Sequence, residues 1–526
     1  MSDLDDRFYR IIELLKANDT SMAYEQSSAL VDSNPTVLNA WLVHSQVQQR
    51  RNDFHGMLHS TRTALDIEPK NPDVVMRHCL ALMLTGGYSE AIKYIDKIAS
   101  SSSKHHDRVS QIGELYTQAK KFVQAHRCYQ QAVKLQPENS KMLYNLASSH
   151  IAMGNFAQAG TLFNQVIAID PSDFDAYQNR STLRTQTQKD NHTEELESVL
   201  EQFPHGEIAL CHALAKEYED LKDYRKSFAY LKRGANARKK RLTYSVKTDL
   251  DTFALIKKTF NSSLVSDLRK IQPNTSSTSS HQKPLPIFVL GLPRSGTTLV
   301  ERILSSHADI MSLGEINDFA LSLINSIGGG YSKKQLIQQS AKMNLIMLAQ
   351  RYRSALTSYG QNTIFTIDKT PLNFLYLGLI RLALPEAKII HVRRDAMDSC
   401  FAMYKTLFRM AYPFSYDLTE LAEYYLAYND LMSHWQAVFP GEFLDVDYEN
   451  LVNNPEPVSR DMIEFCDLPW QAQCLQHHLN PSPSATASAA QVRVPIYTSS
   501  VERWKCYKQE LGALRTILES GGIQIA

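Results

Sequence analysis

Five short apolar runs punctuate the second half of the chain: 286–291 (PIFVLG), 309–315 (DIMSLGE), 363–368 (TIFTID), 387–393 (AKIIHVR) and 442–449 (EFLDVDYE). Each has strand length and β-branched character, and helical segments lie between them. Strands alternating with helices predict a parallel sheet covered by helices on both faces. The first half follows a different period. Pro35, Pro69, Pro137 and Pro171 stand 34 or 68 residues apart, and Pro204 follows one residue short of the next step. A fixed period of this length predicts stacked helix pairs, with proline closing the second helix of each pair.

Small residues fix the register of those pairs. Gly113 and Ala125 lie twelve apart, followed by Tyr129 and Ala132; Ala147, Ala159, Phe163 and Val166 take the same places one unit later, and Cys79 and Ala91 keep the spacing one unit earlier. Small side chains there let two helices approach, and the aromatic fills the space beside them. Thirty-four residues is the tetratricopeptide period, and the pattern resembles that repeat most clearly over about 70–171. Ala215, Ser227 and Leu231 mark one further unit. The chain is therefore expected to hold a repeat solenoid over 1–245, a helical and polar linker over 246–285, and an α/β domain over 286–526. Such an array presents a concave surface that takes a protein partner or scaffolds the domain behind it. The run Arg238-Lys239-Lys240-Arg241 reads as a solvated helix end that favours the helix dipole. The Ser/Thr-rich stretch from Asn274 to Pro286 reads as a hinge.

Composition narrows the class. The 526 residues are 43% hydrophobic and 21% charged, with a formal net charge of +1. That balance is globular and gives no electrostatic case for binding nucleic acid or a membrane surface. The seven cysteines are scattered without a CxxC pair, which argues against a disulfide framework or a zinc site. The opening MSDLDDRFYRIIELL has no signal-peptide core, and no apolar run reaches spanning length. A cytoplasmic protein is expected.

The chemistry begins where the run 286–291 meets Gly291-Leu292-Pro293-Arg294-Ser295-Gly296-Thr297-Thr298 and then a helix. Strand, glycine loop and helix form a phosphate cradle. The glycines have P-loop spacing, yet Thr297 takes the place of the nucleotide-binding lysine, and Arg294 is the loop's one cation. No strand resembles the magnesium-holding strand of a nucleoside triphosphatase. A metal-free 5′-phosphate donor fits this loop better than a triphosphate.

P-R-S-G-T-T after a strand resembles the 5′-phosphosulfate loop of sulfotransferases that use 3′-phosphoadenosine 5′-phosphosulfate (PAPS). Three further segments resemble that family in order: IIHVRRDAMDSCFAMYK, with Arg394 and Asp395; DYENLVNNPE at 447–456; and SAAQVRVPIYTSSVERW at 488–504. The last is similar to a nucleotide-covering segment of tyrosylprotein sulfotransferases and of bacterial tetratricopeptide sulfotransferases. The resemblance implies that Arg294, Ser295, Gly296, Thr297 and Thr298 hold the 5′-phosphosulfate and Arg394 the 3′-phosphate, with Tyr448, Ser488, Gln491, Arg493 and Arg503 as further nucleotide contacts. The family's serine eight residues after the arginine is Ala402 here, and Ser399 on the same helix is the substitute.

In-line sulfuryl transfer needs a base for the acceptor and cations for the leaving phosphate. Glu315, in SLGEIND, matches the catalytic glutamate of the tyrosylprotein enzymes. Arg294 and Lys369 are the candidate cations, and no metal is implied. His307 reads as the end of the loop helix, and Asp318 and Asp368 rank below Glu315 as bases. The acceptor implied is a hydroxyl, with peptide or protein tyrosine among the candidates. Two other readings stay open: a P-loop kinase-like transferase, and a repeat adaptor whose catalytic domain has lost activity, which Ala402 would favour.

Overall fold

The structure is a computed structural model, and it describes residues 3–101, 104–271, 283–328, 331–360, 363–409, 411–484 and 486–525. Most of the hinge read in Asn274–Pro286 lies outside the described residues. Contacts group the chain into two compact units, Met1–Pro137 with Ala320–Gly329, and Glu138–Phe319 with Gly330–Ala526. The second unit therefore takes in the last repeats together with the α/β portion.

In the first unit, antiparallel helix pairs follow the predicted period. Helices Phe54–Ile67 and Phe122–Leu135 end two residues before Pro69 and Pro137. The small-residue register has a direct steric cause: a Cβ on Gly113 would stand 2.7 Å from the Tyr129 ring. Cys79 and Ala91 are fully buried, and the thiol donates to the Ala91 carbonyl at 3.6 Å. The segment 320–329 joins this unit through Asn325, whose amide donates to the Thr85 carbonyl at 3.1 Å.

In the second unit the pairs continue through Ser140–Met153 with Phe156–Ile169, and Glu207–Asp220 with Tyr224–Lys240. The further unit read from Ala215 and Ser227 is present: the Ser227 hydroxyl donates to the Ala215 carbonyl at 2.7 Å. The basic run at the end of Tyr224–Lys240 is less solvated than expected. Lys239 pairs with Glu420, and Arg238 donates to the Arg409 carbonyl.

The five apolar runs form one parallel sheet of β1 (Leu285–Gly291), β2 (Ile310–Ser312), β3 (Phe365–Asp368), β4 (Lys388–Arg393) and β5 (Leu444–Asp447), in the order β2-β3-β1-β4-β5. Strands buried on both faces read as continuous apolar runs. Ile287, Val289, Ile367, Ile390 and Val392 are fully buried, with Val300 and Ile303 of the following helix packed on them. Each such side chain contributes about 1.5–3 kcal/mol. From β1 the chain goes to the edge strand β2, returns to β3 beside β1, then crosses to β4 and β5 on the other side. The crevice beyond the strand ends at that switch point is where such sheets bind ligands. The aromatic stretch after residue 403 is mostly core: Tyr404, Phe414, Tyr416, Tyr424, Tyr425 and Tyr428 are buried. Among the described residues, no helix is long and apolar enough to cross a membrane.

Candidate functional site

The loop after β1 is built by two close approaches. A Cβ on Gly291 would stand 2.5 Å from the Val392 carbonyl oxygen, and one on Gly296 would stand 2.4 Å from the Tyr448 ring. Gly296 has φ of +104° and opens the helix Thr297–Leu304, while Arg294 is left-handed at φ +66°. The first-turn N–H groups of a helix have no partner within it, so Thr297 and Thr298 head an anion-seeking terminus. The Ser295 hydroxyl is buried without a hydrogen-bond partner.

Two strand ends and the C-terminal segment bring four of the predicted residues, Arg394, Tyr448, Ser488 and Gln491, around this loop. The Arg394 guanidinium donates to the Arg294 carbonyl at 2.9 Å and the Ser500 carbonyl at 2.6 Å, and lies over the Tyr448 ring at 4.8 Å. Tyr448 shares a hydrogen bond of 2.6 Å with the Ser500 hydroxyl. Arg294 reaches the C-terminal segment, donating to the Ser488 hydroxyl and, at 2.6 Å, to Gln491 Oε1. Both guanidinium groups are partly buried, both have an unpartnered Nε, and the oxygens they donate to are neutral. Burial, then the charge of Arg394, pulls Arg294 down to about 10. Two cations that disfavour one another, beside an orphaned hydroxyl and a helix N-terminus, form a locus that suits an anion.

Other predicted contacts lie elsewhere. Arg503 donates to Glu219 at 2.8 Å and sits over the Tyr224 ring. Arg493 donates to the carbonyls of Ala152 and Ser482, each at 3.2 Å. Both arginines thus join the C-terminal segment to the last repeats. Ser399 is buried with its hydroxyl 3.4 Å from the Arg394 carbonyl, and Ala402 is buried on the same helix, Ala396–Tyr404.

The second cluster stands at the ends of β2 and β3. Lys369 is fully buried, and its ammonium donates to Glu315 Oε1 at 2.5 Å. The Glu315 side chain is 45% exposed, so a carboxylate open to solvent is tied to a cation that is not. Tyr412 is pushed up by burial and then by the charge of Glu315. The alternative carboxylates are engaged. Asp368 accepts from Tyr352 and Asn373, and Asp318 accepts from Tyr359 at 3.1 Å. His307 bonds the Pro469 carbonyl at 2.9 Å and accepts the Asp309 N–H, as a helix-end residue does.

Sequence reasoning missed two residues. Glu301 lies one turn after Thr297, with one oxygen 3.7 Å from the Lys369 ammonium and the other accepting the Ser312 hydroxyl at 2.5 Å. Asp398 accepts the backbone N–H groups of Glu502 at 2.6 Å and Trp504 at 3.1 Å, which pins the covering segment. Each reads in sequence as an ordinary polar position on a helix.

The fold and site define a parallel α/β domain with a phosphate-type loop behind a helical repeat array. Residues 286–472 match the model of the sulfotransferase family, and residues 116–184 match a tetratricopeptide repeat model. An uncharacterized protein of Aquifex aeolicus (strain VF5) is 31% identical over 399 residues, which is 73% of this chain and 51% of that protein. The chain thus spans about half the length of that relative. A putative protein-tyrosine sulfotransferase of Caenorhabditis briggsae is 25% identical over 43% of this chain and 82% of its own length. Protein-tyrosine sulfotransferase 1 of Danio rerio is 25% identical over 46% of this chain and 72% of its own. The chain carries a sulfotransferase-family domain together with tetratricopeptide repeats, as its motifs imply.

Proposed function

We propose that this chain is a PAPS-dependent sulfotransferase that moves a sulfuryl group to a hydroxyl acceptor, with tyrosine in a peptide as the acceptor the named relatives suggest. The observation that carries the reading is the pair Arg294 and Arg394, two guanidinium groups with neutral partners and unpartnered Nε atoms, flanking the orphaned Ser295 hydroxyl. Phosphate oxygens satisfy such groups with charge-assisted hydrogen bonds. Arg294, Ser295, Gly296, Thr297 and Thr298 would hold the 5′-phosphosulfate, and Arg394, with Ser399 near it, the 3′-phosphate. Tyr448 and the segment bearing Ser488 and Gln491 would close over the nucleotide. Arg493 and Arg503 would act by anchoring that segment.

Glu315 then takes the proton of the acceptor hydroxyl. The acceptor oxygen bonds to sulfur as the bond from sulfur to the bridging phosphate oxygen breaks. That oxygen leaves with the electron pair on 3′-phosphoadenosine 5′-phosphate (PAP), and Lys369 and Arg294 stabilise its charge. The repeat array would bind a protein partner or the acceptor.

Calorimetric titration with PAP in the presence of a chelator tests the donor. PAP should bind without metal and more tightly than ATP. Arg294→Ala should weaken it by about 1.5–3 kcal/mol, the value of a hydrogen bond to a charged group. A requirement for magnesium, or tighter binding of ATP, contradicts the assignment.

A further inference from the structure

We propose that Glu301 is a positioning residue that keeps Lys369 paired while Glu315 holds the proton of the acceptor. The inference rests on the sulfuryl-transfer reading above. Lys369 has no exposed surface and lies between two carboxylates, Glu315 at 2.5 Å and Glu301 at 3.7 Å. The two differ in setting. The Glu315 side chain is 45% exposed and free to meet an acceptor, whereas that of Glu301 is 10% exposed and fixed by Ser312.

The charge balance explains why two are needed. Before transfer the trio carries one positive and two negative charges. When Glu315 takes a proton, Lys369 and Glu301 remain as a neutral pair. Without Glu301, the same protonation would leave the buried ammonium beside a neutral acid, with only the charge developing on the leaving phosphate to compensate it, and a poorly compensated buried charge is unfavourable. Glu301 therefore keeps Lys369 compensated while Glu315 holds the proton. It also couples the base to the donor loop, because it stands on the helix that Gly296 opens and one turn from Thr297. The other ionisable groups around the trio do not take this role. Asp368 is occupied by Tyr352 and Asn373, and Tyr412 faces Glu315 as a neutral phenol.

The test is the pH dependence of PAP formation from labelled PAPS, at saturating PAPS, with a cell extract or water as acceptor. Glu301→Gln keeps the size of the side chain and removes its charge. The rate should fall about 3–10-fold, and the acid limb should move about one unit to lower pH, because losing a nearby negative charge makes Glu315 easier to ionise. Glu301→Asp should restore the position of the limb. PAP affinity should stay near wild type. A rate loss with an unmoved limb, or no loss, overturns the inference while leaving the sulfotransferase reading in place. A wild-type chain that forms no PAP overturns both. If Glu301→Gln does not fold, Glu301→Ser decides the matter: it also removes the charge, a limb moved to lower pH supports the role, and an unmoved limb overturns it.

Discussion

Asp368 ends β3 with its carboxylate fully enclosed, accepting from Tyr352 at 3.0 Å and Asn373 at 3.1 Å. Burial lifts it to about 7, against the hydrogen bonds that favour its charge. The folded state therefore keeps a proton that the unfolded chain releases above about pH 4. That contribution is present in acid and is lost as pH rises toward 7. Asp368→Asn cannot ionise, so its melting temperature relative to wild type should climb between about pH 4 and 7 and then level off. A difference that stays constant across that range contradicts the burial argument. The residue scale is also where the sequence was most and least informative. The places of Arg294, Arg394, Glu315 and Lys369 beyond strand ends were legible because each lies in a recognisable segment. Glu301 was not, since its partner Lys369 is 68 positions away and only the β2-β3-β1 order brings the two together.

At the scale of elements, the helix Glu207–Asp220 is tied to two parts of the α/β domain by one side chain. Glu219 accepts from Lys405 at 2.9 Å and from Arg503 at 2.8 Å, with 12% of its side chain exposed. Burial pushes its carboxyl up, and Lys405 and Arg503 more than offset this, so it stays below the ordinary glutamate range. Its stabilisation is thus present above about pH 4 and lost as pH falls further. Glu219→Gln should cost about 1–3 kcal/mol at neutral pH, because two half-buried cations would lose their counter-charge. Thermal melts at pH 7 and below pH 4 check this: the gap between variant and wild type should close in acid. A variant melting with wild type at pH 7 would show that water serves the two cations as well. The helix pairs themselves were legible from proline spacing and from Gly113 against Tyr129. The role of Arg503 was not, because resemblance placed it on the nucleotide and spacing carries no information about Glu219, 284 positions away.

Across the whole molecule, residues 138–319 and 330–526 form one compact unit that includes both the last repeats and the sheet. Ser227 and Tyr507 share a hydrogen bond of 3.1 Å, and Phe228 packs on Tyr404 and Tyr507. Residues 246–526 alone would expose these aromatics and leave Lys405 and Arg503 without Glu219. That fragment should melt without cooperativity or aggregate, since newly exposed apolar patches associate. A soluble fragment that melts cooperatively and binds PAP like the full chain would show that the repeats are dispensable to the fold of the domain. Sulfuryl transfer itself is tested by Glu315→Gln. Full-length wild type and variant are incubated with sulfur-labelled PAPS and a cell extract, and PAP affinity is measured alongside. The wild type should label an acceptor. The variant should bind PAP as well as the wild type and label it at least a hundredfold more slowly, the lower end of what a general base contributes (about 10²–10⁴). An unlabelled extract with wild type, or a variant that labels at more than a tenth of the wild-type rate, would contradict the account.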